Sequence, residues 1–132
     1  MKNLKLVKGK KILDLGCSNG KALRFFESEF NLKGEGYDIN FFSVMWGKLL
    51  NKIKGSEIKL HWKNFFKADL KKYDYIYVYL LPVQMEYIED WLFENMGKNI
   101  IIVSNTFEFK KNQPFEVIKN DKGKGRIFLY KV

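Results

Sequence analysis

The sequence is poor in cysteine and histidine, with one of each among its 132 residues. A single cysteine excludes an internal disulfide, and one cysteine with one histidine is too few for an ordinary zinc site, so we expect no metal. The longest apolar run, Tyr75 to Leu81, is far shorter than the roughly 20 residues that cross a membrane. The N-terminal segment lacks the small-residue cleavage site of a signal peptide. These absences predict a cytoplasmic protein with no membrane span.

Arginine is also scarce: only Arg24 and Arg126 among 24 basic residues are arginine, against 15 acidic residues and a net charge of +9. A positive field attracts polyanions and acidic protein surfaces. Sequence-specific nucleic-acid contacts, however, depend on the planar fork of arginine. The charge therefore leaves open an acidic protein partner, an RNA partner, or a solvated lysine-rich surface with no such role.

Short apolar runs alternate with helical patterns along most of the chain. Apolar residues make up 46% of the sequence, enough for the core of a single domain over 1–132. The patterns predict strands at 11–15, 34–39, 58–62, 73–80 and 98–104. Between them they predict helices at 21–30, 41–54 and 82–96. Alternation of this kind is typical of an α/β fold with a parallel sheet.

The pattern changes near the C-terminus. Two further strands are predicted at 114–118 and 126–130, joined by a loop that includes the turn-prone residues 120–125. No helix fits in that loop, so the two strands form an antiparallel hairpin. The sheet is then mostly parallel with one antiparallel strand.

Two sequence features predict a ligand site at the carboxyl ends of the strands. The first strand runs into Asp14-Leu15-Gly16-Cys17-Ser18-Asn19-Gly20 before a helix, and Asp38 ends the second strand 22 residues after Gly16. Glycines allow close approach of the backbone to a ligand, and a carboxylate in this position accepts both hydroxyls of a ribose. Together the features predict a nucleoside-cofactor site.

The run LDLGCSNG resembles motif I of the class I S-adenosylmethionine-dependent methyltransferases, and GEGYDI resembles their second motif. The C-terminal hairpin resembles their last two strands. The resemblance implies a minimal Rossmann-like class I methyltransferase sandwich whose seven-stranded sheet has the order 3-2-1-4-5-7-6. It implies S-adenosylmethionine as cofactor and S-adenosylhomocysteine as product, with a nicotinamide dinucleotide as the alternative.

The same resemblance implies roles for individual positions. Asp14 and the Gly16 backbone hold the methionine end of the cofactor, Asp38 takes the ribose hydroxyls, and Asn64 faces the adenine. The full set of implied cofactor-binding residues is Asp14, Gly16, Cys17, Ser18, Gly20, Asp38, Ile39, Asn64, Phe65 and Tyr79. Serine at position 18 and asparagine at position 64 depart from the usual glycine and aspartate of the family.

A narrower resemblance involves the ends of the fourth and fifth strands. YLLPVQMEYIEDWLFENM and IIIVSNTFEF are similar to the small protein-lysine methyltransferases of archaeal and mitochondrial type, which implies a protein substrate with an accessible lysine. Those enzymes carry an N-terminal helix or lid, whereas about ten residues precede Lys11 here. We therefore expect an open site, or one completed by a partner chain or by the substrate.

Within this interpretation the catalytic candidates are Tyr79 and Asn105. The residues expected to line a substrate channel are Leu81, Pro82, Ser104 and Phe107. Tyr79 has a simpler interpretation as the last member of a packing face formed by alternating tyrosines. Two other functions remain open, namely an RNA methyltransferase and a non-catalytic scaffold that binds the cofactor.

The other chemically distinctive residues are assigned structural roles. Cys17 is expected as a small loop residue rather than a nucleophile, and His61 as a packing residue rather than a base. Trp46, Trp62 and Trp91 are expected in the core or half-buried.

Overall fold

A computed structural model of the chain describes residues 4–119 and 125–132. The described residues form a seven-stranded sheet in the order 3-2-1-4-5-7-6, so the order implied by the resemblance is confirmed. The strands are β1 (Lys11–Leu15), β2 (Lys33–Asp38), β3 (Lys59–Trp62), β4 (Tyr75–Val78), β5 (Ile101–Asn105), β6 (Glu116–Lys119) and β7 (Arg126–Tyr130). The α-helices are α1 (Lys21–Phe30), α2 (Phe41–Lys54) and α3 (Pro82–Asn95).

The strand directions bring the sequence motifs to one edge of the sheet. Strands β1 to β5 pair in parallel, whereas β7 is antiparallel to both β5 and β6, as predicted. No helix occurs between β5 and β6 in the part of the loop that the structure describes. The predicted turn at 120–124 and the first three residues of the predicted domain lie outside the described residues. The carboxyl ends of β1, β2, β4 and β5 therefore share one edge, where ligands bind in sheets of this type.

The sheet is buried on both faces. All four residues of β4 are buried. Leu13, Ile76 and Leu92 belong to the cluster on the α3 side, and Phe26 and Tyr77 belong to the cluster on the α1 side. Burial on both faces explains why the strands read as nearly continuous apolar runs.

Strand β4 is shorter than predicted, and the single tyrosine face predicted for it is wrong. Tyr73 precedes the strand and packs on the α3 side, whereas Tyr75 and Tyr77 pack on the α1 side. Tyr79 follows the strand and is 58% exposed. Pro82 begins α3 immediately afterwards, so the chain leaves the sheet before Tyr79 can continue the alternation. Strand β5 likewise begins at residue 101, because the preceding Asn99 is left-handed with φ 70°.

Helix α2 has the predicted bounds, but the face that it packs most deeply on the sheet is not its apolar stripe of Met45, Leu49 and Ile53. Its buried residues are Val44 and Gly47, while Leu49 and Ile53 are 47% and 69% exposed. The reason is close packing at Gly47, where an added Cβ would lie 2.4 Å from the carbonyl oxygen of Asn19. Only a face with no side chain can approach that loop so closely.

Two of the three tryptophans also differ from expectation. Trp46 and Trp62 are 52% and 54% exposed, whereas Trp91 is partly buried as expected. No helix within residues 4–119 and 125–132 has the length and apolar character needed to span a membrane.

Candidate active site at the carboxyl edge of the sheet

The loop between β1 and α1 is built from three left-handed residues, Gly16 (φ 80°), Ser18 (φ 51°) and Gly20 (φ 87°). Its backbone donates three hydrogen bonds to the end of β2, one of them from the N–H of Cys17 to the carbonyl oxygen of Tyr37 at 3.1 Å. The N–H of Gly16 donates to the carbonyl oxygen of Tyr37 at 2.9 Å, and the N–H of Ser18 donates to the Asp38 carboxylate at 2.7 Å. The two sequence motifs therefore form one structural unit.

Two further glycines make room for this loop, Gly36 within the second motif and Gly47 in α2. A Cβ added at Gly36 of β2 would lie 2.4 Å from the Cβ of Cys17, and one at Gly47 of α2 would meet the backbone of Asn19. Sequence reasoning missed both positions. The available signal was a glycine inside an element, which often indicates close approach of another backbone.

The Asp38 carboxylate has capacity for a ligand. One oxygen accepts the N–H of Ser18 at 2.7 Å, and the other accepts the N–H of Asn40 at 2.8 Å. A carboxylate oxygen has two lone pairs, so each oxygen retains one acceptor position. Asp38 is only partly buried, and it lines a cavity at this edge of the sheet. This arrangement can accept two neighbouring hydroxyls, as the sequence predicts for a ribose.

The carboxyl group of Asp14 lies deeper, with 4% of the residue exposed. Burial, with a further contribution from the Asp38 charge, raises its pKa to about 8. Burial also raises the pKa of the Cys17 thiol. A thiol that holds its proton is a poor nucleophile, which supports the structural role assigned to Cys17. A cationic ligand group near Asp14 would stabilise the ionised carboxylate and so offset the free-energy cost of burying its charge.

A cavity of about 500 Å³ opens beside these residues. It is within the size range of small-molecule sites. Five of the predicted cofactor residues, Gly16, Asp38, Ile39, Asn64 and Phe65, line it together. The remaining lining residues are Leu80, Phe66, Val83, Gln84, Tyr87 and Ile88.

The predicted set of cofactor-binding residues does not include the wall contributed by α3. Val83 and Tyr87, like Gln84 and Ile88, are four residues apart and so lie on one face of the helix. Phe66 joins this wall, with its ring 4.7 Å from Trp91 and 6.1 Å from Tyr87 between centroids. The spacing on α3 was a usable signal, but periodicity alone does not say that a helix face borders a cavity.

Asn64 is exposed and caps a short 3-10 turn. Its side-chain oxygen accepts the N–H of Phe66 at 3.0 Å. One lone pair of that oxygen and the amide NH₂ remain for a ligand. An adenine could therefore use both the amide NH₂ and the remaining carbonyl lone pair of Asn64.

The catalytic candidates lie outside the walls of this cavity. The exposed ring of Tyr79 stacks on Phe107, with centroids 6.5 Å apart and an interplanar angle of 20°. Asn105 donates its amide to the Tyr77 hydroxyl at 2.9 Å and accepts the Thr106 hydroxyl at 2.9 Å. Burial raises the pKa of Tyr77 to about 12. Both ends of the Asn105 amide are thus hydrogen-bonded to neighbouring residues. The Tyr77 hydroxyl is a further buried polar group at this site, and no sequence motif indicated it.

The four predicted channel residues are not equivalent. Leu81 is 65% exposed, and Pro82 and Phe107 line a second cavity of about 420 Å³. Ser104 is fully buried, and its hydroxyl donates to the carbonyl oxygen of Phe107 at 2.6 Å. Ser104 therefore holds the loop that carries Phe107, and its side chain has no exposed surface toward a channel in this structure.

His61 lies away from the cavity. Its Nε2 is 2.7 Å from Oε1 of Glu35, and its ring is 4.9 Å from that of Tyr37. This partnered position between two strands favours the packing role. Within residues 4–119 and 125–132, no cluster of three metal-ligating side chains occurs.

These residues fit S-adenosylmethionine. The free lone pairs of Asp38 match a ribose, and Asn64 and the rings beside it match an adenine. Asp14, two residues before Gly16, is buried and is not among the residues that line the cavity. The 500 Å³ cavity accommodates a nucleoside of this size.

Several solved structures are similar to this fold. An RNA methyltransferase from Salinibacter ruber in complex with S-adenosylhomocysteine has a TM-score of 0.84 at 19% identity, covering 93% of this chain and 80% of its own. A SAM-dependent methyltransferase from Thiobacillus denitrificans has a TM-score of 0.65 at 18% identity, covering 84% of this chain and 47% of its own. PKMT2 from Rickettsia typhi in complex with AdoHcy has a TM-score of 0.60 at 22% identity, covering 79% of this chain and 22% of its own. At these identities the similarity concerns the fold.

No curated protein matches the chain in sequence. The family model for the ANTKMT methyltransferase domain matches residues 14–116. That range begins at the buried Asp14 and includes the whole wall of the cofactor cavity. A S-adenosylmethionine-dependent methyltransferase domain accounts for the matched range, the sheet order and the cavity together. The chain belongs to the ANTKMT methyltransferase domain family.

Proposed function

We propose that this chain is an N-methyltransferase that transfers the methyl group of S-adenosylmethionine to lysine side chains of a protein. The observation that carries the proposal is the family match over residues 14–116, a range that includes every residue lining the cavity. The family is consistent with protein-lysine methyltransferases, and the narrower sequence similarity at the ends of β4 and β5 points to the same substrate class.

The residues of the chain bind and orient the cofactor in this proposal. S-adenosylmethionine supplies a methyl group that is already activated by the adjacent positive sulfur. Asp38 holds the ribose, Asn64 and Phe65 hold the adenine, and Asp14 holds the ammonium. Fixing the donor in this way replaces a bimolecular encounter by an oriented one, with the nucleophile held about 3 Å from the methyl carbon.

A lysine must lose its proton before it can attack. Desolvation lowers the pKa of a lysine, so an apolar approach to the methyl group favours the neutral amine. Tyr79 and Leu81 provide exposed side chains after β4, and the partly buried Phe107 stacks on Tyr79 from the end of β5. The Tyr79 hydroxyl is the group that would accept a hydrogen bond from the amine and orient its lone pair.

RNA is the second candidate substrate. The observation that favours it is the structural similarity, with a TM-score of 0.84, to a protein described as an RNA methyltransferase, together with the net charge of +9. The presence of only two arginines speaks against sequence-specific RNA recognition. The third candidate function is that of a non-catalytic scaffold that binds the cofactor.

A labelling experiment distinguishes these functions. The full chain is incubated with S-adenosylmethionine carrying a labelled methyl group, in the presence of cell extract and of total RNA, and also alone. Label in protein that is identified as methyl-lysine supports the proposal, and label in RNA alone contradicts it. Binding of the cofactor with label in neither fraction identifies the scaffold. The Asp38→Asn variant serves as the control for labelling that does not depend on the site.

A further inference from the structure

Helix α2 exposes an apolar face along its whole length. We call this the α2 face. Phe42, Trp46, Leu49 and Ile53 are 81%, 52%, 47% and 69% exposed, and Met45 is partly buried. At 100° per residue these five side chains cover an arc of about 100°. Val44 and Gly47, which pack on the sheet, lie on the opposite side. Adjoining exposed apolar residues with a polar rim mark a candidate interaction site.

Lysines border the α2 face and acidic residues are absent from it. Lys48 and Lys52 lie along one side of the apolar arc, and Lys54 lies beyond the other side. The sequence contains no aspartate or glutamate from residue 39 to residue 56. The basic border belongs to a chain whose net charge is +9. The occupant of this face must therefore be apolar at its centre and negatively charged around it.

We infer that the α2 face binds the surface of an anionic lipid bilayer. A helix with aromatic and aliphatic residues on one face and lysines along its borders lies in the plane of the interface, where the apolar side chains enter the boundary of the acyl chains. The lysine stems extend along the apolar surface and bring their ammonium groups to the anionic headgroups. Trp46 has the amphipathic side chain that concentrates at this depth.

A second copy of the chain fits the α2 face less well. A helix of 14 residues is about 21 Å long and offers roughly 200 Å² of face, whereas a stable dimer buries about 800 Å² on each partner. Pairing would also bring the lysines of two α2 helices together in two molecules of charge +9. Like charges brought together in an interface oppose association.

The α2 face is close to the cofactor cavity in the chain. Ile39, which lines the cavity, is 73% exposed and stands two residues before α2. Phe41, the first residue of α2, packs its ring 4.9 Å from that of Trp62 at the end of β3. Attachment through α2 would therefore keep the rim of the cavity near the bilayer while leaving the cofactor site itself free.

The test uses sedimentation of the full chain with vesicles, without any cofactor, so that its result is independent of the methyltransferase activity. One set of vesicles is phosphatidylcholine alone, and the other contains about one-third phosphatidylglycerol. The variant Leu49→Gln/Ile53→Gln removes two residues of the α2 face, and Val7→Gln/Val132→Gln is the matched control, because Val7 and Val132 are 57% and 63% exposed elsewhere. A second pair compares Lys48→Gln/Lys52→Gln with Lys8→Gln/Lys10→Gln.

We expect the wild-type chain to sediment with the anionic vesicles and not with the neutral ones. Both α2 variants should weaken this binding at least tenfold, while the two control variants should stay within twofold. Circular dichroism and the melting temperature establish that each variant is folded.

Tryptophan emission gives a second measurement on the folded chain. Anionic vesicles should shift the emission to shorter wavelength, and Trp46→Phe should remove most of the shift while Trp91→Phe retains it. Failure of the wild-type chain to bind anionic vesicles overturns the inference, as does equal binding by the α2 and control variants. A concentration-dependent dimer that the α2 variants dissociate would assign the face to a second copy instead.

Discussion

The backbone N–H of Ser18 donates a 2.7 Å hydrogen bond to the carboxylate of Asp38, which joins the loop after β1 to the end of β2. The same carboxylate accepts the N–H of Asn40, the residue that caps α2. Asp38 thus has two roles, because it organises the loop and also presents its remaining lone pairs to the cavity. Substitutions at Asp14 and Asp38 should therefore differ in how much they change stability and how much they change ligand binding.

Asp14→Asn should alter the pH dependence of stability. Asp14 has its pKa raised from 3.8 to about 8 in the folded state, so folding favours its protonated form. The corresponding stability is complete below the unfolded pKa and is lost as the pH rises to about 8. In this range the free energy of unfolding should fall by up to about 1.4 kcal/mol per pH unit because of Asp14. Asparagine removes this term.

Thermal melting of the ligand-free wild type and Asp14→Asn at pH 5, 7 and 8 measures this effect. The variant should become more stable than the wild type as the pH rises. It should also bind S-adenosylhomocysteine about 10- to 100-fold more weakly, because a charge-assisted hydrogen bond to the ammonium is lost. Parallel melting curves for the two proteins across this pH range would show that Asp14 is ionised throughout.

Gly36→Ala should destabilise the chain and weaken cofactor binding together. The added Cβ would lie 2.4 Å from the Cβ of Cys17, so β2 or the loop after β1 must move. Overpacking of this kind costs about 1–3 kcal/mol. Gly97→Ala is the matched control, since the nearest atom to its Cβ would be 3.6 Å away. Denaturant unfolding and binding titrations on both variants test this, and equal stabilities would mean that the loop yields without cost.

Tyr79→Phe should reduce turnover more than cofactor affinity. The ring that stacks on Phe107 is retained in this variant, and only the hydroxyl is removed. If the hydroxyl orients the amine, kcat should fall about tenfold, the effect of losing one hydrogen bond in the transfer step. The affinity for S-adenosylhomocysteine should stay within about twofold. Equal losses in both quantities, or none in either, would assign Tyr79 a structural role.

Glu89→Gln should destabilise the loop between β5 and β6. The buried Glu89 carboxylate accepts the backbone N–H groups of Lys110, Lys111 and Asn112 and the Asn112 amide, at 2.8 to 3.1 Å. Glutamine directs an NH₂ group at these donors, so the free energy of unfolding should fall by about 2–4 kcal/mol. Glu86→Gln breaks an exposed ion pair with Lys110. It should change the free energy of unfolding by less than about 1 kcal/mol. Denaturant unfolding measures both, and similar small losses would mean that water replaces the carboxylate.

The part of the fold that follows from local pattern was predictable. The bounds of α2 follow from the Asn40 cap and from Gly55, which is left-handed with φ 66°. Its outward apolar face was not predictable, because periodicity shows that a face is apolar without showing what it contacts. The decisive contact is between Gly47 and the backbone of Asn19, residues 28 positions apart.

The same distinction applies to the site. Gly16, Asp38 and Asn64 were assigned from motifs and line one cavity. The wall formed by Val83 and Tyr87 depends on how α3 turns away from β4 at Pro82, which is a tertiary feature. Ser104, near the end of β5, is fully buried with its hydroxyl on the carbonyl oxygen of Phe107, and the sequence does not show which way such a side chain points.

The central claim is that S-adenosylmethionine binds at the carboxyl edge of the sheet with its ribose on Asp38. Isothermal titration with S-adenosylhomocysteine tests it most directly, with Asp74→Asn as the control because Asp74 accepts the backbone N–H of Lys11 far from the site. The account predicts one ligand per chain, an affinity at least about tenfold lower in Asp38→Asn, and no loss in Asp74→Asn. Absence of binding by the folded wild type, or equal affinities in the two variants, would contradict it.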